Sequence, residues 1–253
     1  MRLETDPRAR AATVTAAQMA EVDRRTVQAY QMSLLQMMEN AGRALALVAR
    51  DRPFGGSVAG ARIAVLAGRG GNGGGALVAA RRLAGWGAQV EIFTPTPRAR
   101  PLPEVARQAG TALAFGVPLR EIPDDAQATR ARAAREFDLV IDGLLGYGGS
   151  GTPRGAVGRL LAWAAEASTP ILALDVPSGV DATTGEVAPY AIRADATVTL
   201  AAVKTGLVWS SAAAHVGALY LADIGIPAAA FEGMVEPAIV TSWFVADDVV
   251  RVA

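Results

Sequence analysis

The sequence predicts a three-layer αβα fold with a doubly wound, mainly parallel sheet, preceded by two extra helices at the N-terminus. Two observations carry this prediction. Short apolar segments rich in β-branched residues alternate along the chain with alanine-rich segments of helical period. The short segments are apolar at nearly every position, as strands buried on both faces should be. Strand and helix alternating in this way imply parallel strands joined by right-handed crossovers, which is a Rossmann-like arrangement.

The two N-terminal helices are predicted from their start signals. Thr15-x-x-Gln18 and Ser33-x-x-Gln36 have the spacing of capping boxes, in which a hydroxyl and an amide satisfy free backbone groups at a helix start. Apolar residues recur at helical spacing after each signal. The sequence therefore predicts one helix after Thr15 and another after Ser33.

The remaining elements follow in alternation. The predicted strands are residues 62–67, 89–94, 138–142, 170–175 and 196–200. The predicted crossover helices are residues 76–84, 104–115, 125–136 and 159–167. Residues 95–103 are expected to form a surface loop and residues 205–222 a turn and a strand, and the C-terminal residues 239–253 should pack back on the body. We expect a single domain over residues 1–253, with its core at about 14–227.

Composition narrows the function classes. The 253 residues carry 24 basic and 24 acidic groups, no cysteine and one histidine. Zero net charge without a cationic run argues against nucleic-acid binding, and the absence of cysteine excludes disulfides and thiolate metal sites. A catalytic triad or a multi-histidine metal site would depend on His215 alone, which we expect to have no catalytic task. The start of the chain lacks the apolar core of a signal peptide, and no segment is a good membrane span. We expect a cytoplasmic location without membrane contact.

Glycine and aspartate residues follow the predicted strands. The first strand leads into a glycine-rich segment, Gly68 to Gly75, whose bare backbone and following helix start suit an anionic ligand. A tight turn without a ligand is the alternative. The third and fourth strands end in Asp142 and Asp175. Ligands of doubly wound sheets bind at the carboxyl ends of strands, so these carboxylates should converge on one crevice, where each could act as acid, base or metal ligand.

Lys204 is the only lysine among the 24 basic residues. A composition that strongly prefers arginine suggests a need for a compact ammonium at this position, although random drift would explain a single lysine equally well. The sequence assigns it no role.

Six ordered motifs resemble the YjeF N-terminal family. They are M-E-N-A-G at 38–42, G-R-G-G-N-G-G-G at 68–75, V-I-D-G-L-L-G-Y-G at 140–148, L-D-V-P-S-G-V-D-A-T-T-G at 174–185, K-T-G at 204–206 and A-D-I-G-I-P at 222–227. The fourth is the most specific. The resemblance implies an NAD(P)H-hydrate epimerase, an isomerase that interconverts the R and S forms of hydrated NADH or NADPH. A separate S-specific dehydratase would then complete the repair.

The resemblance also implies site residues. One potassium ion per subunit would be held by Asn72, Asp142 and Ser178, whose oxygens suit a hard cation. Asp175 would be the catalytic acid or base and would also contact substrate. The other implied substrate contacts are Gly71, Asn72, Gly73, Gly74, Gly75, Gly146, Tyr147, Gly148, Gly149, Ser150, Gly151 and Thr152. Family likeness further implies a homodimer formed through the N-terminal helices.

The first loop departs from the family pattern G-x-G-N-N-G-G-D-G. Gly71 replaces the first asparagine, Gly75 the aspartate and Ala76 the last glycine. Two polar substrate contacts are therefore missing, which favours an alternative: a weakened or inactive relative serving as a nucleotide-binding or protein-interaction module. The intact Asn72, Asp142, Asp175 and Ser178 favour catalysis. An ordinary Rossmann oxidoreductase or methyltransferase is disfavoured, because no acid ends the second strand to hold a ribose hydroxyl.

Overall fold

The computed structural model describes residues 12–96, 101–123, 136–149, 151–166 and 168–252. Its central feature is an eight-stranded sheet in the order β10-β9-β7-β6-β5-β2-β3-β4. These strands are β2 (Arg62–Ala67), β3 (Gln89–Pro95), β4 (Leu119–Ile122), β5 (Leu139–Gly143), β6 (Ile171–Leu174), β7 (Ala196–Leu200), β9 (Ala218–Ala222) and β10 (Val249–Arg251). Every pairing is parallel except β9 with β10. The predicted fold class is confirmed.

Helices cover both faces of the sheet. They are α1 (Ala16–Tyr30), α2 (Leu34–Asp51), α3 (Gly71–Gly85), α4 (Pro103–Ala114), α5 (Gly155–Ala165), α6 (Ala213–Val216) and α7 (Pro237–Trp243). One apolar cluster joins α2, α3 and α4 to one face. A second joins α5 to the other face, where Phe93, Phe137 and Trp163 stack edge to face or tilted. A third cluster packs α1 against the C-terminal elements.

Both predicted N-terminal helices are confirmed, including their caps. Thr15 and Ser33 each accept a hydrogen bond from the backbone of the residue three positions later, and both capping boxes are complete. Just before α1, the short strand β1 (Thr13–Val14) pairs in parallel with β8 (Val203–Lys204). The N-terminal segment is thereby tied to the chain beside Lys204, a link that the sequence did not predict.

The crossover segments agree with prediction in part. All five predicted strands form within one residue of the expected position at each end, and α4 begins and ends one residue earlier than expected. Helix α5 begins at Gly155, four residues before the predicted start. The predicted helix at 125–136 lies outside the described residues, apart from Glu136. Pro95 closes β3 and Pro103 opens α4. Residues 97–100 of the expected surface loop lie outside the described residues.

The largest correction concerns the glycine-rich segment. Helix α3 does not start at residue 76 but at Gly71, with Gly70 as its N-cap. Glycine is among the poorest helix formers, so local propensity argued for a loop. Tertiary packing overrides that preference, because α2 and α3 cross so closely that a Cβ on Gly42 would lie 2.4 Å from the Gly75 carbonyl oxygen. Glycine at these positions allows the helix contact.

The remaining sequence predictions concern the C-terminal third. Residues 205–222 contain a 3-10 turn at Thr205–Val208, the short α6 and strand β9, close to the expected turn and strand. The C-terminal segment does pack on the body, since Trp243 is buried against Phe231 and β10 extends the sheet. In the described part of the chain, no helix is both long and apolar enough to cross a membrane.

The sheet order places the ligand crevice. The chain winds outward from β2 through β3 and β4, and then returns to the other side of β2 to form β5. The switch point therefore lies between β2 and β5, where loops leave in opposite directions and a crevice opens at the carboxyl ends. The Gly68 N–H donates to the Gly143 carbonyl at 3.0 Å, so the strand ends are joined at the floor of this crevice.

Candidate active site

A cavity of about 790 Å³ opens at the switch point. Its walls come from the first two helices, from the loops after β2, β5 and β6, and from Lys204. The polar and charged side chains among its lining residues are Asp23, Arg69, Asn72, Tyr147, Arg154, Asp175 and Lys204. Apolar side chains of α1 and α2, including Met19, Leu34 and Met38, line the remainder. A cavity of this size with few polar groups is typical of small-molecule and cofactor sites.

Asp175 is one of the two carboxylates that line this cavity. It follows β6 directly and adopts a left-handed backbone conformation, with φ of 66°. Its backbone N–H donates to the Val198 carbonyl at 2.7 Å, and its Oδ2 accepts the Tyr147 N–H at 2.9 Å. A non-glycine residue in this strained region is uncommon and clusters at functional sites. This backbone conformation and the Tyr147 hydrogen bond together orient the carboxylate.

Lys204 is the charge partner of Asp175. Its Nζ lies 2.5 Å from Asp175 Oδ1 and donates to the Leu200 carbonyl at 2.6 Å. The two side chains are 1% and 4% exposed, so the ion pair is almost completely removed from water. Nζ also lies 5.9 Å from the centre of the Tyr147 ring. The sequence singled out this lysine without giving it a role, and the structure places it against the predicted catalytic aspartate.

A second carboxylate reaches the cavity from α1. Asp23 Oδ2 accepts a hydrogen bond from the Tyr147 hydroxyl at 2.6 Å. Burial raises the pKa of Asp23, an effect that the hydrogen bond from Tyr147 partly offsets. Burial and the nearby Asp23 charge raise the pKa of Tyr147. Sequence analysis missed Asp23, although it sits beside the helix-spaced buried residues Met19, Val22 and Thr26, where a carboxylate is unexpected.

Asp142 and Ser178 form a buried polar pair behind the crevice. The Ser178 hydroxyl donates to Asp142 Oδ1 at 2.7 Å, and its N–H donates to Oδ2 at 2.8 Å. Ser178 Oγ in turn accepts the Leu145 N–H at 2.9 Å. Burial raises the pKa of Asp142 to about 6, against the lowering by its hydrogen bonds. Asp142 lies within β5 and does not line the cavity, whereas Asp175 does.

Asn72 connects the glycine-rich segment to this pair. Its Nδ2 donates to the carbonyl oxygens of Leu145 at 2.8 Å and Leu174 at 3.1 Å. Its Oδ1 is buried and has no hydrogen-bond partner among the residues that the structure describes. Such an acceptor is rare in native proteins, and a bound ion or water molecule would satisfy it.

The predicted substrate contacts separate into three groups. Gly71, Asn72, Gly146, Tyr147, Gly148, Gly149 and Asp175 line the main cavity. Gly151 and Thr152 line a neighbouring cavity of about 240 Å³, to which Gly146 and Gly149 also contribute. Gly73, Gly74 and Gly75 lie in the buried first turns of α3 and line neither cavity, and Ser150 is outside the described residues.

The buried glycines serve close packing. A Cβ on Gly73 would lie 1.8 Å from the Gly68 carbonyl oxygen, so the start of α3 fits against the end of β2 only without a side chain. We predict that Gly73→Ala lowers the free energy of unfolding by about 3 kcal/mol or more, the upper end for overpacking. Gly70→Ala is the matched control, because its Cβ would meet no heavy atom within 4 Å. Equal urea midpoints for the two variants would contradict this assignment.

The fold and the crevice define a doubly wound α/β protein with a nucleotide-sized site at its topological switch point. Residues 34–206 match the family described as YjeF-related protein N-terminus. The chain therefore belongs to that family, and the resemblance carried by its six motifs is confirmed.

Curated relatives cover most of the chain. The NAD(P)H-hydrate epimerase of Dehalogenimonas lykanthroporepellens is 41% identical over 86% of this chain and 84% of its own length. The NAD(P)H-hydrate epimerase of Limosilactobacillus fermentum is 34% identical over 83% of this chain and 95% of its own length. The bifunctional NAD(P)H-hydrate repair enzyme Nnr of Moorella thermoacetica is 37% identical, but the match covers only 40% of that longer protein. The crystal structure of the yeast protein YNL200c matches with a TM-score of 0.76 at 23% identity, over 94% of this chain and 99% of that one, and supports the fold.

Proposed function

We propose that the protein is an NAD(P)H-hydrate epimerase, an isomerase that interconverts the R and S hydrates of NADH or NADPH. The observation that carries the proposal is the buried Asp175–Lys204 pair at the wall of a nucleotide-sized cavity in a chain whose relatives bear that activity. The product would pass to an S-specific dehydratase, an activity consistent with the bifunctional relatives.

The lining of the cavity supplies groups for both ends of such a substrate. The N-cap of α3, Gly70, makes no side-chain cap, and Gly70 and Gly71 line the cavity. The free N–H groups of this helix start suit a pyrophosphate. Arg69 and Arg154 line the same cavity and add positive charge for phosphate oxygens. Asp175 and Lys204 would then lie toward the nicotinamide end.

The chemistry requires proton transfer at a ring hydroxyl. In epimerisation the hydroxyl leaves as water and returns on the other face, or the ring opens and closes again. In either route a positioned carboxylate moves a proton to or from the oxygen, a contribution of about 10²- to 10⁴-fold. Asp175 is held by its strained backbone and by two hydrogen-bonding or charged partners, so the group is in place before substrate arrives. Burial beside the apolar helix wall excludes bulk water from this transfer.

The residues implied for a potassium ion fit that ion. The donor set combines one carboxylate, Asp142, with the neutral oxygens of Asn72 and Ser178, a hard set of low charge suited to a monovalent cation. The buried Asn72 Oδ1, without a partner among the described residues, supplies an acceptor for it. Within the described ranges, no group of three or more His, Cys, Asp or Glu residues could hold a metal. When bound, the ion would supply positive charge beside the buried Asp142 carboxylate and hold the loops after β5 and β6 together.

We predict that potassium stabilises the protein specifically. The unfolding midpoint should rise in KCl relative to NaCl at equal ionic strength, with about 2.7 kcal/mol of stabilisation at one hundred times the dissociation constant. Asn72→Ala should remove the difference between the salts. Asn40→Ala is the matched control, since Asn40 donates to the Ile224 carbonyl away from this donor set. Identical midpoints of the wild-type protein in the two salts would overturn the potassium assignment while leaving the epimerase proposal standing.

The activity itself is tested by a coupled assay. Purified protein is incubated with R-hydrated NADPH and an excess of S-specific dehydratase, and NADPH formation is followed against a blank without the protein. We expect formation well above the spontaneous rate, in KCl more than in NaCl. NADPH formation at the rate of the blank, in the presence of folded protein, would contradict the epimerase proposal.

A further inference from the structure

Two carboxylates reach the main cavity from different walls. Asp175 lies at the carboxyl end of β6 and is paired with Lys204, while Asp23 comes from α1 and is paired with the Tyr147 hydroxyl. Tyr147 stands between them, because its backbone N–H donates to Asp175 and its side-chain hydroxyl donates to Asp23. The cavity therefore presents two distinct polar pairs to a bound ring.

Epimerisation by loss and return of water places a requirement on both faces of that ring. In the first step the carbon–oxygen bond breaks, the ring-nitrogen electron pair forms a carbon–nitrogen double bond, and the leaving oxygen takes a proton to become water. In the second step a water adds to the other face, the electron pair returns to nitrogen, and the water gives up a proton. One face needs a proton donor and the opposite face a proton acceptor.

We propose that Asp23, acting through the Tyr147 hydroxyl, is the second acid–base group, and that it serves the ring face opposite to the Asp175–Lys204 pair. This inference rests on the proposed function and extends it. In one direction of reaction the Asp175–Lys204 pair gives a proton to the departing hydroxyl, and the phenol oxygen takes a proton from the arriving water while passing its own to Asp23. The reverse direction exchanges the roles.

The protons balance over one turnover, and the two steps need no further reactant. Each turnover moves one proton from one pair to the other, and exchange with solvent restores the starting state. Burial raises the pKa of Asp23 above its ordinary value, which favours uptake of the phenol proton by this carboxylate. The hydrogen bond of 2.6 Å gives the phenol proton a direct route to the carboxylate.

Oxygen exchange separates this role from a structural one. Each pure epimer is incubated in ¹⁸O-labelled water, the two epimers are separated by chromatography, and label at the ring hydroxyl is measured by mass spectrometry against a protein-free blank. The wild-type protein should incorporate one label for each inversion. Asp23→Asn and Tyr147→Phe should each slow inversion by about 10²- to 10⁴-fold. One epimer, whose hydroxyl faces Asp175, should still exchange its oxygen with retention at a rate within about tenfold of wild type.

Asp175→Asn should also slow inversion, but in this variant the epimer whose hydroxyl faces Tyr147 should be the one that still exchanges its oxygen. Asp138→Asn is the matched control, because this exposed aspartate pairs with Arg62 at the far end of β5. If Asp23→Asn lost oxygen exchange and inversion to the same extent with both epimers, Asp23 would have a structural role and the inference would be overturned. Inversion by the wild-type protein without label would indicate ring opening and also overturn it. A wild-type protein that inverts neither epimer would instead fail the proposed function itself.

Discussion

Asp175→Asn should lower the rate of epimerisation by about 10²- to 10⁴-fold, the usual contribution of a positioned acid–base group. The amide nearly matches the carboxylate in shape and can still accept the Tyr147 N–H through its oxygen, so the loop after β6 should keep its course. It cannot take up or release the proton. The measurement is the coupled assay at saturating substrate, with circular dichroism to establish that the variant is folded.

Asp248→Asn provides the matched control for this prediction. Asp248 carries an exposed carboxylate, 63% accessible, that pairs with Arg43 at the surface. Surface pairs of this kind contribute little to stability, so the control should keep full activity and a nearly unchanged unfolding midpoint. If Asp175→Asn were as active as Asp248→Asn, Asp175 would not handle the proton.

Lys204→Met should lower the free energy of unfolding by about 3–5 kcal/mol, because it leaves the Asp175 carboxylate buried without its cation. Methionine approximates the length of the lysine stem, so loss of packing is small by comparison. Urea unfolding of the variant measures the effect, and the same preparation should show a large loss of epimerase activity.

The double variant Asp175→Asn/Lys204→Met tests whether the unpaired Asp175 carboxylate causes the loss of stability in Lys204→Met. Removing both charges leaves no unpaired ion, so the double variant should be more stable than Lys204→Met alone. The two single effects would then be strongly non-additive, as expected for groups 2.5 Å apart. Additive effects would contradict a direct ion pair.

Local signals were sufficient for most of the fold. The capping boxes at Thr15 and Ser33 begin helices, and β-branched apolar runs form strands, because in these segments local preference and tertiary burial agree. The same reasoning failed at Gly71, where packing of α3 against α2 outweighs the poor helix propensity of glycine. Strands β1, β8 and β10 are only two or three residues long, too short to carry a periodic signal.

The candidate site was predictable where its residues end strands. Asp175 and the loop after β5 follow directly from the rule that ligands bind at carboxyl ends. The pairing of Lys204 with Asp175, and of Asp23 with Tyr147, joins residues far apart in the chain. No local pattern determines such contacts. They depend on how β7, β8 and α1 are placed around the crevice, which only the folded arrangement establishes.

The most direct test of the central claim follows each pure epimer toward equilibrium without a coupling enzyme. R- and S-hydrated NADPH are incubated separately with the protein in potassium buffer, and the two forms are quantified by chromatography over time. We expect both reactions to converge on the same mixture far faster than in buffer alone. If each epimer converted only at the rate seen in buffer, in the presence of folded protein, the protein would not be an epimerase. It would then be a binding module that retains the crevice without the reaction.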